Sequence, residues 1–301
     1  MRRSRHLVAA VAVGALLAGC ADTVSPVATA PAGSPAFSTV PTGAGPSPAD
    51  PVALIGSWTV TAADGGAGGV VRLAPPDQGD LIWFDRCGVS LGTWRADAGG
   101  LFVAELSGHS PSGVPGCPSG PWRGPDWLPR ATAFRVVGGT PILLDGQGRQ
   151  VARLAPGAKP TAGPHLLPSL AEPPVVTPEV RRALAAAAPL PAGLAPAGRS
   201  ALLGRWVPAG APRPNPTPAY VEFRDDGGWR GSDGCNGQGG RWVAGAEGAL
   251  LATAGPSTLI GCANVLVAAW LSGASRAGLD GDVLVLVDAQ GRETGRLRRD
   301  G

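Results

Sequence analysis

The sequence predicts a mainly β protein of α+β class: two tandem, small, β-rich domains with one short helix each. Three observations predict this. Gly56, Trp58, Cys87 and Trp94 recur 148 residues later as Gly204, Trp206, Cys235 and Trp242. A second echo, Asp145, Gln147, Gly148, Arg149 and Leu154 against Asp288, Gln290, Gly291, Arg292 and Leu297, runs 143 residues apart, so the second copy is shorter by five. Between these marks lie short apolar runs divided by Gly- and Asp-rich turns, the pattern of strands and hairpins. A length of 301 residues matches two domains, and 47 Gly with 32 Pro argue for turns over helix.

Residues 1–19 read as a lipoprotein signal peptide. Arg2, Arg3 and Arg5 precede an apolar run from Leu7 to Leu17 that is too short for a mature spanning helix. Leu17, Ala18, Gly19 and Cys20 then resemble a bacterial lipobox, which implies a diacylglyceryl group on the Cys20 sulfur and cleavage before it. An ordinary secretory signal is the alternative, and the residues around Arg2 and Arg3 fit twin-arginine export poorly. Two acyl chains hold a protein on a membrane stably where one does not. Residues 20–51, rich in Ala, Pro, Ser, Thr and Gly, lack the apolar surface to order themselves and form a tether. It reaches about 30 Å as a coil and about 90 Å fully extended.

Setting aside Arg2, Arg3 and Arg5, the 25 basic residues fall to 22 and match the 22 acidic ones. That balance leaves no cationic footprint for nucleic acid. The one Lys against 24 Arg reflects genome composition and carries no function.

The five cysteines divide into Cys20 and two per repeat. Four cysteines permit three pairings, but a domain copied as a unit carries its bridge within itself. The duplication therefore predicts Cys87 with Cys117 and Cys235 with Cys262, each contributing about 3.5 kcal/mol by loop closure. A shared zinc site lacks any C-x2-C pair, and a catalytic thiol is disfavoured because each cysteine has a ready partner. No metal and no cofactor are expected.

In the second domain, residues 201–301, strands are predicted at Trp206, Tyr220 to Phe223, Arg241 to Val243, Leu250 to Ala252, Val283 to Val287 and Thr294 to Arg298. Ala263 to Leu271 reads as the helix, with Val267, Trp270 and Leu271 on one face. Asp225-Asp226-Gly227 and Asp280-Gly281-Asp282 read as hairpin turns. Leu203-Gly204-x-Trp206, Tyr220-Val-Glu-Phe223, Gly234-Cys235-Asn236, Thr258-x-x-x-Cys262 and Asp288-x-Gln290-Gly291 together resemble the META domain family, the module of HslJ-like bacterial heat-shock lipoproteins. The first domain, residues 52–155, keeps Leu54-x-Gly56-x-Trp58, Cys87 and Trp94. It has Gly88 in place of the family Asn and no matching Thr before Cys117, so it is META-like and degenerate. The resemblance implies a partly open, barrel-like fold and a role in envelope stress tolerance, with no established catalytic site.

Residues 156–200 form a Pro-rich linker, with a short helix predicted at Pro178 to Ala188 and started by Pro178 and Glu179. The helix either docks against a domain or serves as a spacer, and Leu166, Leu167, Leu170, Val175 and Val176, apolar for a free linker, favour docking.

Candidate chemistry is sparse. His109 and His165 sit among Ser, Pro and Gly and do not recur between copies. A Ser-His-Asp triad stays open on composition, without a nucleophile elbow. Asp225, Asp226 and Asp233 lack EF-hand spacing and read as turn residues. The run Gly234 to Gly240 lacks the Lys of a phosphate loop and reads as a tight crossing, with Asn236 bonding nearby backbone. Trp58, Trp94, Trp206 and Trp242 read as core. Trp83, Trp122, Trp127 and Trp229, with Asn236, are candidates for an interaction surface. Arg292, Arg296, Arg298 and Arg299 read as the outward face of an edge strand.

These readings converge on a lipid-anchored extracytoplasmic protein with a non-enzymatic interaction or scaffold role, partnered by the membrane through Cys20 and by an unidentified envelope protein. The alternatives are a carrier with a small apolar ligand in a barrel cavity and, with least support, a hydrolase.

Overall fold

The computed structural model describes residues 49–66, 68–117, 124–160, 167–210 and 217–301. The first repeat forms eight antiparallel strands: β1 (Gly56–Ala62), β2 (Gly69–Leu73), β3 (Leu81–Asp85), β4 (Gly88–Ala96), β5 (Phe102–Pro111), β6 (Ala133–Val137), β7 (Thr140–Leu144) and β8 (Gln150–Ala155). β1 shows why they form: Trp58, Val60 and Ala62 are buried while Thr59 and Thr61 are exposed, the two-residue period of a half-buried strand. The sheet runs β5-β4-β3-β2-β1-β8-β7-β6. Its outermost strands also meet, because Leu101 bridges Ala133 and the Phe102 N–H donates to Thr132 O at 3.0 Å.

The second repeat uses the same order. β9 (Ala195–Pro196), from the linker, is an added edge. It is followed by β10 (Gly204–Pro208), β11 (Tyr220–Phe223), β12 (Gly228–Ser232), β13 (Gly237–Ala244), β14 (Leu250–Ala252), β15 (Arg276–Asp280), β16 (Val283–Val287) and β17 (Glu293–Arg299). The sheet runs β14-β13-β12-β11-β10-β17-β16-β15-β9. Here too the far ends approach: Ala249 bridges Arg276, and the Leu250 N–H donates to Ser275 O at 3.1 Å. Among the described residues three α-helices accompany the sheets, α1 (Pro178–Ala183), α2 (Arg199–Leu202) and α3 (Val267–Gly273).

Each repeat closes around its own core. Trp58, Leu73, Leu81, Phe102 and Leu154 belong to the first, and Trp206, Phe223, Trp242, Leu284 and Leu297 to the second. The paired tryptophans bond alike in both. Trp58 Nε1 donates to Leu54 O at 2.8 Å and Trp206 Nε1 to Leu202 O at 2.7 Å. The paired Asp-x-Gln-Gly-Arg turns are superposable in their bonds. Asp145 Oδ1 accepts from the Gln147 and Arg149 N–H groups at 2.9 Å each, and Asp288 Oδ1 accepts from Gln290 and Arg292 at the same distance.

The repeats also pack on each other within one compact unit. Val103 from β5 meets Val243 and Leu251 from β13 and β14 in a third apolar cluster. Polar bonds flank it: Thr253 Oγ1 donates to Glu105 Oε2 at 3.1 Å, and Arg241 Nη2 to Pro129 O at 2.7 Å. The linker docks on both repeats. Buried Arg72 donates to Glu172 O at 2.8 Å, and Gln78 exchanges two bonds with the Val175 backbone. Further on, Arg276 Nε donates to Ala188 O at 2.7 Å and β9 pairs with β15.

Four expectations need correction. No α-helix lies among the described residues of the first repeat; a 3-10 turn, Leu128–Arg130, stands between β5 and β6, with Pro129 at its centre. The linker helix ends at Ala183, because Ala188 turns its backbone outward to bond Ala289 O and Arg276. The second helix starts at Val267 rather than Ala263, since the Val265 N–H is drawn to Asp233 O at 2.8 Å. Finally, β17 is interior, paired with β10 and β16. Its arginines bond locally instead: Arg296 with Glu293 and Asp280, and Arg299 over the Trp206 ring at 4.0 Å.

The β2–β3 turn stores a pH dependence. Asp80 has φ 54° and lies partly buried, accepting the Trp94 N–H at 3.1 Å. Burial pushes its carboxyl up to about 6, against the opposing Trp94 bond. The folded state then binds this proton more tightly than the unfolded chain, so stability falls as pH rises from about 4 to about 6. Asn tolerates this backbone and keeps the acceptor. Asp80→Asn is expected to exceed the parent in stability near pH 7 by roughly 1–2 kcal/mol and to equal it below about pH 4, measured by urea unfolding.

Candidate functional site

The repeats differ at the residue after their first cysteine, Gly88 in one and Asn236 in the other. In both, an aspartate two positions before that cysteine caps its backbone: Asp85 Oδ1 accepts the Cys87 N–H at 2.7 Å and Asp233 Oδ1 the Cys235 N–H at 2.8 Å. This Asp-x-Cys pair also recurs at 148 residues, a signal present in the sequence. The second oxygens part ways. Asp85 Oδ2 accepts Trp83 Nε1 at 2.9 Å, whereas Asp233 Oδ2 accepts Asn236 Nδ2 at 2.9 Å and Asn264 Nδ2 at 3.2 Å.

Asn236 turns that network into a clamp. Its Oδ1 accepts the Thr258 hydroxyl at 2.6 Å and the Ile260 N–H at 2.8 Å, while Nδ2 donates to Ile260 O at 3.0 Å. One buried side-chain amide thus satisfies both polar groups of the Ile260 backbone, as a neighbouring strand would. The Cys235–Cys262 disulfide fastens the same loop a few residues on. Between these anchors Leu259 is 98 % exposed and Ile260 58 % exposed. Burial alone would raise the Asp233 carboxyl, but the Asn236, Cys235 and Asn264 bonds outweigh it and hold it below the usual carboxylate value. The clamp therefore keeps its charge at neutral pH, and its contribution is lost only as pH falls through that lowered value.

The first repeat cannot host the same clamp. Gly88 stands where Asn236 does, with φ 145°, and a Cβ there would run into Ser110 O. Its own disulfide, Cys87–Cys117, forms as predicted.

The remaining candidates fall elsewhere. Trp83, Trp127 and Trp229 do not form a surface, since each is only 2 % exposed. Trp83 and Trp127 meet edge to face at 5.8 Å in the first core, where Trp127 Nε1 has no hydrogen-bond partner. Trp229 Nε1 donates to Thr253 O at 2.7 Å, and Gly240 makes room for that indole. Trp83 lies on β3, which is buried on both faces, and Trp229 lies on β12, where Arg230 alone is exposed. Asn236 is buried as well and acts through the loop it holds. Trp122, His165 and Cys20 lie outside the described residues.

His109 pairs across β4 and β5 with Ser90, Nδ1 to Oγ at 2.9 Å. Ser90 is fully buried, so its hydroxyl offers a substrate no approach. Asp226 accepts the Gly228 N–H at 2.7 Å, as a turn residue does. The four described cysteines are all in disulfides and present no thiolate to a metal.

Removing the Asn236 amide leaves the Ile260 backbone and part of Asp233 without partners. Asn236→Ala is expected to lower unfolding free energy by about 2–4 kcal/mol, whereas Thr258→Val, which deletes one bond at a more exposed site, is expected to cost about 1 kcal/mol. Equilibrium denaturation of the two variants checks the ratio.

The two disulfides fit an oxidising, extracytoplasmic setting. No helix among the described residues is long and apolar enough to cross a membrane. Comparison with protein-family models, with curated proteins and with solved structures finds no match to this chain.

Proposed function

We propose that this chain is a lipid-anchored, extracytoplasmic interaction protein of the META/HslJ-like kind, non-enzymatic, serving envelope stress tolerance. Its contact surface is the clamped loop of the second repeat. The observation that carries this reading is Leu259, 98 % exposed on a loop tied at Asn236 and at Cys262. A large apolar side chain held rigidly in water is unfavourable for an isolated protein and suits a projecting anchor that fills a pocket in a partner protein. Holding it beforehand removes part of the ordering cost of binding.

The META-like reading has support in the shared strand order and in the approach of the outermost strands of each sheet, which a partly open barrel requires. Lipidation at Cys20 rests on the Leu17-Ala18-Gly19-Cys20 motif. The non-enzymatic reading rests on the burial of Ser90 beneath His109.

A photo-cross-linking residue at position 259, in intact cells, tests the surface. A discrete protein adduct is expected there and not at Val137, a half-exposed position in the first repeat, and Asn236→Ala is expected to abolish it. Equal labelling at both positions, or an adduct indifferent to Asn236→Ala, would remove the loop from the account.

A further inference from the structure

The two repeats and the linker line a partly open cavity of about 600 Å³, within the size range of small-molecule sites. Its walls are largely apolar: Ile55, Trp94 and Leu101 from the first repeat, Val180 and Leu184 from the linker, and Leu251 from the second. None of these three parts forms the site alone, so it exists only where all three are docked.

Four charged residues line it, Arg95, Asp97, Glu247 and Arg276. Asp97 is taken up by its own turn, with Oδ1 accepting the Leu101 N–H at 2.8 Å. Arg276 is committed to the Ala188 and Glu247 carbonyls at 2.7 and 2.8 Å. Glu247 is exposed. Arg95 differs. It makes one hydrogen bond, Nη1 to Ala274 O at 2.6 Å, from a guanidinium that carries five N–H donors. Burial lowers its pKa to about 10, with Asp97 opposing, which still leaves it cationic at neutral pH. A cation with spare donors in an apolar chamber calls for an anion small enough to enter it.

We propose that this cavity binds a monocarboxylate carried on an apolar chain, with the carboxylate on Arg95 and the chain against Trp94, Leu101, Leu184 and Leu251. The carboxylate supplies the acceptors that the protein does not, and the chain replaces water along the walls. Free acids and the acyl ends of lipid breakdown products share this chemistry.

Calorimetric titration of the whole chain with decanoate, decanol and decyltrimethylammonium tests the proposal. Decanoate is expected to bind at least about tenfold more tightly than the other two. Arg95→Gln is expected to weaken decanoate by about tenfold and to leave decanol within about twofold. Ala185→Phe fills the chamber from the exposed linker side without touching either core, and is expected to abolish binding of all three. If Arg95→Gln unfolds, Ala185→Phe and the ligand ranking still decide. Absence of decanoate binding, equal affinity for the alcohol or the ammonium probe, or binding unchanged by Ala185→Phe would overturn the proposal.

Discussion

The tryptophans that the two repeats share place their buried indole N–H groups on backbone carbonyls, and both repeats do so in one way. Trp58 and Trp206 sit in the two cores and bond the carbonyl four residues upstream, at Leu54 and Leu202. This fixes the path by which the chain enters β1 and β10, the strands on which each sheet is centred. Trp94 and Trp242 repeat the device at the ends of β2 and β11, through Ala74 O and Arg224 O. An unpaired buried N–H costs about 1–3 kcal/mol, so neither the tryptophan nor the approach of the chain can change alone. The residues shared by the repeats are those on which the scaffold depends.

Freed from that constraint, the other positions diverged. The first repeat spends the second oxygen of Asp85 on its own core tryptophan, Trp83. In the second, Asp233 holds Asn236, and Asn236 holds a loop that carries apolar side chains into water. Equivalent aspartates thus support a packed interior in one copy and a presented surface in the other. The linker also does more than separate the repeats, because Arg72 and Arg276 bind it to each in turn and it walls the chamber between them.

Much of the scaffold was legible in the sequence. Scarce Trp and Cys at fixed spacing revealed the repeat and both disulfides, and Val283 to Val287 announced β16 because its two faces are buried, one in the core and one beneath the linker near Pro191 to Leu194. β12 and β15 were not legible. Gly228-Trp-Arg-Gly-Ser232 and Arg276-Ala-Gly-Leu-Asp280 have the composition of turns, and only their neighbours in the sheet make them strands. The interior tryptophans Trp83, Trp127 and Trp229 were hidden for a related reason, since their burial depends on which distant segments cover a short strand or turn. Of the candidate site, Asn236 was visible as a departure between copies. Its partners Asp233, Thr258 and Ile260 came together only through the fold, as did the chamber lined by Arg95.

Asn236 holds the Leu259 loop in one exposed conformation in the free protein. Hydrogen exchange of the Ile260 amide measures this hold, because that N–H donates to the Asn236 side chain. Protection of this amide comparable to that of strand amides in β11 is expected, with its selective loss in Asn236→Ala while β11 stays protected. Exchange of the Ile260 amide at the rate of an unstructured peptide in the parent protein would contradict it.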